Sequence, residues 1–158
     1  MESLVYRFMV IQRRTGACET FTVRRQASPG SRRVPWEWLL AWESADKESL
    51  ILERPLHRGG DAEFQVRHRM EGSAWVPQRY TLRTEWPFSM DCDAHPWMAN
   101  LISLCDGRAT GRDQLRVLVE NDVLPRALAE EEFARAAADL VSGGFIEVEG
   151  FRPPRAGG

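Results

Sequence analysis

The hydrophobic pattern changes its period once along the chain, near residue 94, and this change limits the fold more than any other feature. Before it, apolar residues sit in short runs rich in β-branched and aromatic side chains, bounded by turn residues, as strands do. After it, they recur three and four residues apart, as on amphipathic helices. Strands first and helices afterwards point to an α+β protein. A doubly wound parallel sheet would need the two in alternation.

The first part opens with residues 4–12, Leu-Val-Tyr-Arg-Phe-Met-Val-Ile-Gln, which read as a strand. A turn at Arg13-Arg14-Thr15-Gly16 leads into residues 18–25, where Phe21 and Val23 share a face with Glu19 and Arg25, so the two runs form a β-hairpin. Residues 35–42 form a short helix, because Pro35 suits a first helical turn and Trp38 and Trp42 lie four apart on one face. Residues 49–56, 62–70 and 74–82 are expected as three further strands, with turns at Gly59-Gly60-Asp61 and Glu71-Gly72-Ser73. Phe64, Val66 and His68 fall on one strand face, and Gln65, Arg67 and Arg69 on the other. Trp86-Pro87 predicts an extended exit toward the second part.

In the second part, residues 96–105 carry Trp97, Leu101 and Leu104 along one helix face. Asp93 is expected to cap this helix, with His95 in its first turn, and Asp106-Gly107 to stop it. Thr110-Gly-Arg-Asp113 has the spacing of a capping box, with Asp for Glu, ahead of a helix bearing Leu115, Leu118 and Val119. Glu130-Glu131-Glu132 opens a third helix that buries Phe133, Ala136, Ala137, Leu140 and Val141, and Gly143-Gly144 ends it. Residues 145–149 read as a strand, with a return at Gly150 through Phe151-Arg152. Three helices followed by a β-hairpin is the order of a winged helix, with residues 110–142 as its two-helix core. The expected organisation is therefore a β-rich domain over residues 1–90, holding a small antiparallel sheet and a short Trp-rich helix, a winged-helix domain over 91–152, and a flexible tail over 153–158.

The runs Leu101-Ile-Ser-Leu-Cys-Asp-Gly-Arg-Ala-Thr110 and Ala138-Asp-Leu-Val-Ser-Gly-Gly-Phe-Ile146, with Leu115 between them, resemble a small winged-helix module. Similar modules are C-terminal accessory domains of class I S-adenosylmethionine-dependent methyltransferases, and occur in peptide-binding proteins of pyrroloquinoline-quinone biosynthesis and related peptide-modification systems. The resemblance covers roughly residues 94–150, and Val34-Pro-Trp-Glu-Trp-Leu-Leu40 looks like the segment between catalytic domain and winged helix in some such methyltransferases. It implies an accessory portion without a catalytic domain. No G-x-G-x-G or G-x-G-x-x-G occurs, so no cofactor-binding turn, and hence no cofactor, is expected.

Charge decides between the partners open to such a module. The total of −2 splits into +3 over residues 1–90 and −5 over 91–158. The third helix has Glu130, Glu131, Glu132 and Asp139 against Arg135, and the wing adds Glu147 and Glu149. Duplex binding draws most of its affinity from basic side chains at phosphates, so this helix has the wrong sign for a DNA groove. The leading expectation is a non-catalytic module that binds a protein or peptide, with Trp36, Trp38, Trp42, Glu131 and Arg135 as interaction residues. The alternative is a regulatory nucleic-acid binder that works through Arg24, Arg25, Arg32 and Arg33, beside the first hairpin.

Catalytic and metal chemistry have thinner support. Asp91, Cys92, Asp93 and His95 lie within five positions, with Cys105 ten residues beyond His95, and Cys92, His95 and Cys105 are the weak candidates for a tetrahedral site. Neither C-x-x-C nor H-x-x-x-H is present, and the simpler reading makes both cysteines apolar fillers. Cys92 with His95 is the sole thiolate–imidazole candidate, and G-x-S-x-G is absent. Any activity is expected to come from a partner methyltransferase. Three cysteines cannot all pair, no apolar run has membrane-spanning length and the first residues lack a secretory layout, so a cytoplasmic protein with no membrane partner is expected.

Overall fold

The computed structural model describes residues 36–60 and 62–153. The first hairpin, residues 4–25, and the arginines at 24, 25, 32 and 33 lie outside the described residues. In chain order the elements are α1 (Trp36–Glu43), α2 (Lys47–Glu53), β1 (Pro55–Arg58), β2 (Glu63–Glu71), β3 (Ala74–Thr84), β4 (Met90–Asp93), α3 (Pro96–Leu104), β5 (Asp106–Thr110), α4 (Gly111–Glu120), α5 (Glu130–Gly143) and β6 (Ile146–Val148). The architecture is α+β, with two antiparallel three-stranded sheets among the described residues, ordered β5-β1-β6 and β2-β3-β4.

The three C-terminal helices and the β2–β3 hairpin form where the pattern predicts. Their determinants are local. Thr110 Oγ1 accepts from the Asp113 N–H (3.2 Å), and Asp113 accepts in return from the Thr110 N–H (3.3 Å), completing the capping box. α5 ends at Gly144 in the left-handed region, φ 81°, and the N–H groups of Gly144 and Phe145 close on Val141 and Leu140 carbonyls.

Elsewhere the structure corrects the sequence reading. Residues 49–56 are not a strand. Asp46 caps a helix by accepting from the Ser49 N–H (3.3 Å), Ile51 and Leu52 are buried, and the chain turns extended at Arg54, ahead of Pro55. A short apolar run looks the same on a buried helix and on a buried strand, and the cap decided for helix. Asp106-Gly107 does not merely stop α3: the chain continues as β5, pairing Thr110 with Pro55 and Asp106 with His57 of β1. Asp93 caps nothing. It ends β4 and pairs with Arg79 (2.5 Å), while His95 is the N-cap of α3 without a side-chain bond. Trp86-Pro87 is a cis peptide in the β3–β4 connection, where Thr84 Oγ1 donates to the Trp86 carbonyl (2.8 Å), so it is a turn and not an exit. Pro153, assigned to a flexible tail, is buried.

One hydrophobic core joins both parts of the described chain. It runs from Leu39 and Trp42 of α1 through Ile51, Leu56 and Leu82 to Leu101, Phe133, Val141 and Val148. β1, from the first part, lies between β5 and β6 of the second, and α2 packs on α5. The position between residues 90 and 91, where the sequence suggested a domain boundary, falls inside β4.

Candidate interaction surface

The 14-residue α5 places its apolar stripe inward and its charges outward. Phe133, Ala137, Leu140 and Val141 are buried, while Glu130, Glu131, Glu132, Arg135 and Asp139 are exposed. The acids of the first turn meet the positive end of the helix dipole, a favourable placement. Glu131 pairs with Arg135 one turn on (2.8 Å), and Glu130 receives Arg112 of α4 (3.3 Å), so an ion pair ties the two helices of the pair together at the surface. Exposed pairs of this kind contribute little stability, about 0–1 kcal/mol each. Their effect is to set the sign of the surface, with four acids on the helix against Arg135.

The wing differs from its sequence reading. Glu147 is buried on β6, with Arg152 Nε 3.8 Å away. Glu149 bonds both His57 and Arg152, and these contacts hold its carboxyl below the usual carboxylate range, the His57 hydrogen bond first. The two wing carboxylates therefore face basic partners of this chain. The His57 ring lies against Gly107, where a Cβ would come within 2.2 Å of it; φ there is +83°. The acidic surface rests on α5 alone.

The tryptophans chosen from sequence as interaction residues sit mostly in the core. Trp42 is fully buried and donates to Ser142 Oγ of α5 (2.9 Å). Trp38 is buried and donates to the Phe151 carbonyl (3.3 Å). Trp36 is half-buried against Phe88, ring centroids 5.4 Å apart. The apolar side chain that does reach solvent is Trp75, at the tip of the β2–β3 hairpin, and sequence reasoning missed it. The alternation noted at Phe64, Val66 and His68 was the available signal.

Cys92, His95 and Cys105 are not brought together, and the described residues hold no group of three His, Cys, Asp or Glu side chains fit for a metal ion. Cys92 lies in β4 opposite Leu82. Cys105 caps the C-terminus of α3, buried, with its thiol donating to Gln114 Oε1 (3.5 Å). Burial pushes the Cys105 thiol up to about 12. Burial also raises Cys92, and Asp91 and Asp93 add to the shift. Both move away from thiolate, the opposite of what a nucleophile needs. On the polar face of β2-β3-β4, a shallow groove of about 380 Å³ is lined by Gln65, Val66, Arg67, Arg79, Thr81 and Asp91.

Among the described residues no helix is long and apolar enough to cross a membrane. No family model, curated protein or solved structure matches the chain.

Proposed function

We propose that the chain is a non-catalytic interaction module whose second half is a winged helix, and that it docks on another polypeptide, an enzyme or its peptide substrate. The order α3, β5, α4, α5, β6, then a turn back to the Val148–Phe151 bridge, supports the winged-helix reading. The observation that carries the function is the charge of α5. The helix that would enter a DNA groove presents Glu131, Glu132 and Asp139 to solvent, where phosphates would need Arg or Lys. An acidic helix face with a single Arg suits a basic patch on a protein. The resembled accessory domains make a class I methyltransferase or a peptide-modifying enzyme the partner, working with this chain in the cytoplasm.

Two measurements test this reading. Co-expressed with a methyltransferase or peptide-modifying enzyme encoded beside it, the chain should co-purify as a stoichiometric complex, and Glu131→Lys with Glu132→Lys should weaken that complex about tenfold or more. In a low-salt gel shift, the wild-type chain should leave a short DNA duplex unbound. Tight, steeply salt-dependent duplex binding that is lost on Arg24→Glu and Arg25→Glu would replace this reading with an Arg-mediated nucleic-acid binder.

A further inference from the structure

Among the described residues, the large apolar side chains that reach solvent are Val66, Met70 and Trp75, at 37%, 48% and 66% exposure. All three stand on one face of one hairpin. The register sets Phe64 opposite Leu82, Val66 opposite Tyr80, His68 opposite Pro77 and Met70 opposite Trp75, and directly opposed residues share a face. The irregularity between Arg67 and His68 keeps that face continuous past the bend. An apolar strip thus runs from the buried Leu82, past Phe64 stacked on Tyr80 (6.0 Å), to Trp75 at the tip. β2 is also a nine-residue edge of its sheet. Natural proteins keep long edges and contiguous apolar strips covered, or break them with charge. Here the charges lie on the opposite face.

The chain itself carries a segment with the matching need. Residues 4–12 place Leu4, Tyr6, Phe8 and Val10 on one side of a strand pattern and Val5, Met9 and Ile11 on the other. A strand apolar on both sides needs cover on both. The described chain begins at Trp36, packed on Phe88 beside the root of the β2-β3-β4 sheet. From there residues 26–35 can reach about 33 Å when extended, and β2 is about 31 Å long. Tethering puts the segment at a local concentration on the order of millimolar, which favours it over a second copy of the chain.

We propose that residues 4–25 lie on the Val66/Met70/Trp75 strip and pair along the β2 edge, so that the hairpin is the seat of the chain's own N-terminal segment. Hydrogen–deuterium exchange on the full chain tests it. Residues 4–12 should exchange at least about tenfold more slowly than an unstructured peptide. Met70→Asp with Trp75→Asp should abolish that protection and leave α4 and α5 protected. Should that variant lose protection throughout, Phe8→Asp provides the reciprocal test: it should increase binding of an apolar dye, and adding Trp75→Asp should remove the increase. Unprotected exchange of residues 4–12 in the wild type overturns the proposal. So does protection that survives Met70→Asp with Trp75→Asp, or protection that rises with protein concentration alongside a dimer in sedimentation, which would make a second copy the cover.

Discussion

A cysteine and a glycine show how far one residue's chemistry was readable. The crowding of Cys92, His95 and two aspartates suggested ligands or a nucleophile. The fold sends Cys92 into a strand beside Leu82, and Cys105 to a buried helix end against Gln114. With Cys105 pushed up to about 12 and Cys92 also raised, both thiols in the native chain should alkylate at neutral pH at least about tenfold more slowly than in denaturant. Mass spectrometry of iodoacetamide-treated protein reads this directly, and a fast native Cys92 would restore a thiolate role. Gly144, by contrast, was legible, because a helix end followed by Gly is a local signal. The structure adds its environment: a Cβ there would lie 2.1 Å from Pro87 Cδ and 2.5 Å from the Trp86 carbonyl oxygen.

At the scale of elements, local chemistry wrote some helices plainly and others not at all. α4 was marked by its capping box. Thr110→Ala should cost about 1 kcal/mol in chemical denaturation at neutral pH. The hydrogen bonds from Thr110 hold the Asp113 carboxyl below its usual range. A depressed folded-state pKa means stability that is present above the unfolded pKa and lost as pH falls through the folded one. The difference between Thr110→Ala and wild type should therefore shrink in acid. It should not vanish, because the Asp113 N–H still finds Thr110 Oγ1. A difference independent of pH would show that the reciprocal bond contributes nothing. α2 was misread as a strand because seven residues give too short a stretch for a helical period to show, and its Asp46 cap stands ahead of an apolar run that a strand would also want.

For the whole molecule, the decisive contact joins residues 100 positions apart. The Trp42 indole of α1 is buried against α5 and bonded to Ser142. Trp42→Ala should cost about 3–5 kcal/mol, measured as a lower denaturant midpoint. Because β1 sits between β5 and β6, far- and near-ultraviolet circular dichroism should trace one coincident transition. Two separated transitions would show instead that the segments on either side of residue 90 unfold independently. The same packing explains why the candidate site was half legible. The acidic face of α5 follows from its helical period and could be listed from sequence. Which tryptophans stay outside could not, since Trp38, Trp42 and Trp75 differ in what packs on them and not in their neighbours along the chain.

What the sequence determined by itself is what depends on a few adjacent residues: the capping box at Thr110, the glycine end of α5, the β2–β3 turn at Gly72, the helical period after residue 94 and the acidic surface of α5. Those features are set by hydrogen bonds and dihedral preferences within one or two turns of chain. The tertiary structure decided the rest. It made residues 47–53 a helix, drew β1 between β5 and β6, took Trp38, Trp42 and Glu147 out of solvent and left Trp75 in it. The reason is that burial is settled by which distant surfaces meet, and that information is not carried by the neighbours of any single residue.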